Sequence, residues 1–184
     1  MRYDLAMPRK RLLALAALTS PLALAAESIH RRAGVWIPVR EAPPAAWIPA
    51  VYFVATVGCG GALAWLERRV RPALAPGRRR ALEAVPVLAL FLAPPLLHAR
   101  ELVLLALASG YLVLRLAAWR APGDLAVAAV AMAGDLGIEA ALVALGFYRY
   151  AHAAWGPLPL WLAPLWGGLA LGLRRLLLPV TAAP

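Results

Sequence analysis

The sequence predicts an all-α integral membrane protein. The expected form is a single six-transmembrane helix bundle over residues 1–184, with both termini cytoplasmic and two pseudo-equivalent hairpins, spans one and two and spans five and six. Three observations predict it. The chain is 63% hydrophobic and 15% charged, with a mean hydropathy of +0.73; soluble domains are about 45–50% apolar and about 25% charged. Six apolar segments are each near the length of about 20 residues that a helix needs to cross the hydrocarbon. They cover approximately 12–29, 47–66, 81–98, 101–118, 125–147 and 158–178. Finally, the basic residues are unevenly divided. With the termini inside, 14 of the 19 Lys and Arg are cytoplasmic and 5 are outside, namely Arg31, Arg32, Arg40, Arg100 and Arg149. That is the positive-inside bias of membrane proteins.

Each span has its own signals. The first follows Arg9-Lys10-Arg11 and ends near Glu27 and His30. Its charged start, apolar run and Ala23-Leu24-Ala25 also fit a cleavable signal peptide. The uncleaved reading is preferred because a repeat, described next, uses this span as partner of the second. Pro43-Pro44 precedes the second span and Pro76-Gly77-Arg78 the third. His98-Ala99-Arg100-Glu101 separates the third from the fourth, and Pro122-Gly123-Asp124 opens the fifth; all are turn signals. The runs lack the period-two alternation of barrel strands, so helices are the spanning elements. The +10 formal charge lies in short Arg clusters between apolar runs, with no separate basic domain of the kind that binds nucleic acid. Cys59 is the single cysteine, which excludes an intramolecular disulfide and a cysteine-cluster metal site.

The repeat relates two distant segments. The first reads Glu27, Gly34, Trp36, Trp47, Pro49, Tyr52, Gly60-Gly61 and Arg68-Arg69. The second reads Glu139, Gly146, Tyr148, Trp161, Pro164, Trp166, Gly167-Gly168 and Arg174-Arg175. Glu to Gly is seven residues in both, and Trp to the next aromatic is five in both. Each unit is a span going out, an aromatic outer loop and a span returning to an Arg pair. The implied axis lies near the membrane normal, with spans three and four left over. A generic interfacial belt also places Trp and Tyr at helix ends, but it does not require a shared order. The Gly-Gly pairs are expected to permit close helix approach.

Gly146-Phe147-Tyr148-Arg149-Tyr150, then Trp161 and a small-residue span ending in Arg, resembles the insulin-induced gene (INSIG) membrane proteins. Trp47-Ile48-Pro49 resembles the opening of that family's second span. The resemblance implies six spans, cytosolic ends and a central cavity for a sterol-like or diacylglycerol-like lipid, without enzymatic activity. The family's acidic residue before the basic turn after span four is missing at Trp119-Arg120-Ala121-Pro122, so its sterol-pathway partner does not carry over. Richness in Ala, Leu and Arg with one Lys points to a bacterial relative, placed in the inner membrane as a multi-pass protein.

The candidate ligand-binding residues are Asp135, Glu139, Tyr148, Tyr150, Trp161, Trp166, Trp47, Tyr52 and Glu27. Asp135 and Glu139 share one helix face by their i, i+4 spacing. A carboxyl inside the bilayer costs at least about 2.5–3.5 kcal/mol and normally faces the bundle interior. Tyr148, Tyr150, Trp161 and Trp166 are expected to frame the outer mouth of a lipid cavity. Glu27 and His30 are read as interfacial and solvated. No metal, cofactor or catalytic set is expected, and no phosphate loop or dinucleotide fingerprint is present. The alternative reading is a small membrane enzyme acting on an isoprenoid or carotenoid, hydratase-like, with Asp135 and Glu139 as general acid and base.

Overall fold

The computed structural model describes residues 9–39, 44–67, 77–118, 122–154 and 156–181. Among these are six α-helices: α1 (Arg9–Arg32), α2 (Pro44–Glu67), α3 (Gly77–Leu97), α4 (Glu101–Ala118), α5 (Asp124–Ala144) and α6 (Leu162–Thr181). Leu and Ala dominate these segments, and both are strong helix formers. Two three-residue strands, β1 (Trp36–Pro38) and β2 (Tyr148–Tyr150), follow α1 and α5. The described residues are mostly helical, as expected, and the segments after α1 and α5 add a short antiparallel ribbon.

Two helices differ in extent from the apolar segments expected. The segment expected over 125–147 leaves the helix after Ala144, and the one expected over 158–178 enters it only at Leu162. Gly146, at φ 73°, ends α5 in the left-handed conformation, which costs a glycine little. Pro157 and Pro159 cannot supply helix N–H groups, and the Glu101 carboxyl holds the Ala154 and Leu160 amides at 2.9 and 2.8 Å. The described residues between α5 and α6 therefore form a ribbon strand and a pinned loop. The basic turn at 68–76, the turn at 119–121 and the termini lie outside the described residues.

Helix α1 packs along α2, and α5 along α6; α3 and α4 both lie against α6. The glycines of α6 make room for these neighbours. A Cβ on Gly168 would sit 2.9 Å from the Tyr111 ring, and one on Gly172 would overlap Val87. A Cβ on Gly167 would come within 3.0 Å of Met132. Gly61 has open space around it, so close approach is seen at the second Gly-Gly pair and not at this member of the first.

Helices α4 and α5 are long and apolar enough to cross a membrane, at mean hydropathies of 1.8 and 1.7. Only 28% and 17% of those windows are buried, unlike the core helix of a soluble protein. On α4 the buried stripe is Glu101, Leu104, Ala108, Leu112 and Arg115, whereas Leu102, Leu107 and Val113 face outward, each more than half exposed. The charges face in and the aliphatic side chains face out, as in a lipid-facing helix. Trp47–Gly58 in α2 and Ala84–Leu97 in α3 are further apolar stretches among the described residues.

Candidate functional site

The site is built where α1 and α5 end. Gly34 donates to the Arg31 carbonyl and Val35 to that of His30; Gly146 donates to Val143 and Phe147 to Leu142. These are paired Schellman closures with glycine in the left-handed position, φ 79° and 73°. Every residue of the second closure lies 112 positions after its counterpart. The ribbon follows the same rule. Trp36 pairs with Tyr150, Pro38 with Tyr148, and Ile37 with Arg149. Exchanging the halves turns the first pair into the second and returns Ile37–Arg149 to itself. Val39 N donates to Phe147 O, and Ala151 N to Val35 O, again one bond and its exchanged copy. A local pseudo-twofold axis thus passes through the Ile37–Arg149 pair.

Beneath the ribbon, each half places a glutamate. In the first, Glu27 accepts the Trp36 indole N–H at 2.9 Å and the Tyr52 hydroxyl at 2.6 Å. In the second, Glu139 Oε2 accepts the Tyr148 hydroxyl in a short contact and the Tyr150 hydroxyl at 2.7 Å. Trp36–Glu27 and Tyr148–Glu139 are related by the same 112 positions. His30 Nδ1 lies 3.7 Å from Glu27. Its Nε2 is 3.2 Å from the Phe91 carbonyl, and its ring stacks on Phe91 at 5.0 Å. Burial, followed by the charge of Glu139, holds the Tyr148 and Tyr150 phenols well above their ordinary range. Both therefore remain protonated donors at neutral pH.

No family model, curated protein or solved structure matches this chain. Its chemistry is read from its own residues.

The aromatic rings form one continuous cover. Trp47 stacks on Tyr148 at 5.8 Å and 12°, Trp36 tilts onto Tyr148 at 5.3 Å, and Tyr150 meets Trp161 edge-on at 6.1 Å. Tyr148 and Trp161 are 5% and 2% exposed, which corrects the expectation that they frame an outer mouth. They are packed inside, because the phenols turn inward to the glutamate and the indole lies in the core. Tyr150, Trp47, Tyr52 and Trp166 are half-buried against that core. Glu27 and His30, read as solvated, are cluster members at 17% and 13% side-chain exposure. The aromatic donors give Glu27 the hydrogen bonds that water would otherwise supply.

Asp135 lies one helical turn before Glu139 on α5. Its Oδ2 is buried and has no hydrogen-bond partner among the described residues; the same holds for Trp161 Nε1. Among the described residues no group of three or more His, Cys, Asp or Glu is arranged to hold a metal. What the arrangement offers is an acceptor cluster and an indole donor inside an apolar bundle.

Two polar features, the Trp36 donor and the Asp124 ion pair, escaped the sequence reading. Trp36 appeared in the repeat but not as a donor to Glu27. Glu101, 9% exposed, borders a surface depression of about 340 Å³ with Ala99 and residues 151–154, beside the His98–His152 ring contact at 5.3 Å. Asp124, 1% exposed, receives Arg174 in a short ion pair and Arg175 at 3.3 Å. The Arg174-Arg175 pair, read as a membrane flank, is thus partly an internal ion-pair partner. Only the i, i+3 and i, i+4 patterns within a helix are visible in sequence, and these contacts join different elements.

Proposed function

We propose that the chain is a six-span inner-membrane protein of a bacterium, related to the INSIG family. In this reading it is a non-enzymatic lipid-binding or sensor protein that takes a diacylglycerol-like or sterol-like lipid at its centre. The observation that carries the reading is the buried Asp135 Oδ2, without a hydrogen-bond partner among the described residues, one turn before the aromatic-capped Glu139. A few placed polar groups in an apolar wall are the usual make-up of a ligand site. The outward aliphatic faces and the 14-to-5 division of basic residues support the membrane setting and cytoplasmic termini. Native mass spectrometry of the detergent-purified protein tests the binding. The expected spectrum contains a hydroxyl-bearing lipid bound one to one. Protein that is folded and consistently lipid-free removes the reading.

The second reading is an isoprenoid-modifying membrane enzyme. The adjacency of Asp135 and Glu139 favours it, because an acid and a base one turn apart could protonate an alkene and activate water. The two tyrosines already bonded to Glu139 favour binding instead. A change in cellular isoprenoids or pigment on deletion, with turnover by the purified protein, decides for the enzyme.

A further inference from the structure

The pseudo-twofold axis allows the polar residues of the site to be sorted by whether each has a counterpart. Glu27 and Glu139 are counterparts, and so are their donors Trp36 and Tyr148; in both halves the glutamate ties the ribbon to the helix below it. Asp135 breaks the pattern. The position 112 residues earlier is Ala23, a buried alanine. The scaffold thus forms in the first half without a carboxyl at this point. In the second half a carboxyl is present whose Oδ2 is buried without a hydrogen-bond partner among the described residues. Leaving such an oxygen unsatisfied is destabilising, and natural chains retain such costs mainly at functional sites.

A second observation lies nearby. Trp161 is 2% exposed, and its Nε1 also has no partner among the described residues. Its ring rests edge-on against Tyr150, which is bonded to Glu139, one helical turn after Asp135 on α5. Asp135 Oδ2 and Trp161 Nε1 are thus linked through Glu139 and Tyr150, in the second half only. A hydroxyl can donate to a carboxyl and accept from an indole.

We infer that the two halves divide the work: Glu27 and Glu139 are positioning residues that hold the ribbon, while Asp135 and Trp161 contact the hydroxyl of a neutral lipid. The lipid is bound asymmetrically, in the second half of the pseudo-symmetric scaffold. This inference rests on the lipid-binding reading for its ligand, but not for its division of roles.

The test combines thermal melting of the full chain in detergent with binding of dioleoylglycerol and of its acetate ester, which lacks the free hydroxyl. Wild-type protein is expected to prefer the alcohol by about tenfold, the scale of one hydrogen bond to a polar or charged group. Asp135→Ala, which gives the second half the residue of the first, is expected to abolish that preference and to raise Tm by roughly 2–4 °C. Glu27→Gln and Glu139→Gln are expected to lower Tm. Trp161→Phe is expected to weaken binding of the alcohol more than of the ester. A fall in Tm for Asp135→Ala comparable to the glutamate variants overturns the division of roles. An unchanged preference in Asp135→Ala or Trp161→Phe overturns the hydroxyl assignment. If wild-type protein binds neither compound, the diacylglycerol ligand is lost, and the signs of the Tm changes alone still decide the division of roles.

Discussion

Glu139 receives two phenol hydroxyls on one carboxyl oxygen, and both phenols are held protonated by burial and by the charge they face. Their folded-state pKa lies above the ordinary value of about 10. The stability they contribute is therefore fully present below pH 10 and declines as pH rises above it, because the unfolded chain releases protons there and the folded chain does not. The slope is about 1.4 kcal/mol per pH unit for each such tyrosine. Tyr150→Phe should lower stability at neutral pH by about 1.5–3 kcal/mol, the value of a hydrogen bond to a charged group, and should flatten the alkaline decline in melts taken above pH 10. Asp124 is a sharper case. Asp124→Ala leaves Arg174 buried beside the Pro122 carbonyl without its carboxylate, a loss of about 3–5 kcal/mol. Replacing Asp124 and Arg174 together with Leu should recover much of it, which a melting comparison of the single and double variants would read. At this scale the acceptors were legible in the sequence and the donors only in part. Asp135 and Glu139 stand out because a carboxyl within an apolar run is costly. Glu27 beside Arg31-Arg32 looked like a solvated helix end, and nothing local announces that Trp36 and Tyr52 satisfy it.

The elements were legible wherever the signal was local. Apolar runs marked the six helices, and the seven-residue spacing from Glu to Gly marked the two segments as related, though not where α5 ends. Seven residues is about two turns, so the carboxyl lies on the side to which the chain returns after the left-handed glycine. The ribbon was not legible, because its two strands are 112 residues apart and three residues of alternation give no reliable period. The late start of α6 was hidden for a related reason: Glu101 of α4 holds the loop amides, and apolar content alone runs on through Leu158 and Leu160. Gly34→Ala and Gly146→Ala should each cost about 1–2 kcal/mol, the left-handed penalty of an L-residue. At Gly34 the penalty is one of backbone conformation, since an added Cβ meets only an ordinary contact at 3.8 Å from His98. Similar losses in denaturant or thermal unfolding are expected at both sites; a much smaller loss at one would show that the two helix ends are not equivalent.

For the whole molecule the decisive contact is the one that links its halves. Ile37 and Arg149 face each other on the pseudo-axis, and the flanking bonds from Val39 and Ala151 place them at a hydrogen-bonded position of the ladder. Opposed Cα atoms there lie about 5.5 Å apart, within the range a disulfide spans. Both side chains are exposed, so two cysteines should fit without disturbing the core. In a Cys59→Ala background, Ile37→Cys with Arg149→Cys is expected to form an intramolecular bond, seen as a mobility shift on non-reducing gels. Moving one partner to Val39 should abolish it, since that position keeps the same face but lies diagonally across the ladder, about 7–8 Å away, beyond the reach of a disulfide. The bond closes a loop of about 112 residues and should stabilise the fold by up to about 4.7 kcal/mol. Its formation also reports sidedness. If the ribbon lies on the periplasmic face, as the charge division predicts, the disulfide forms in growing cells without added oxidant, because that compartment is oxidising and the cytoplasm is reducing. A pair that forms with oxidant after purification but never in cells would keep the fold and reverse the orientation. A pair that forms under neither condition would remove the ribbon, and with it the pseudo-twofold relation between the halves.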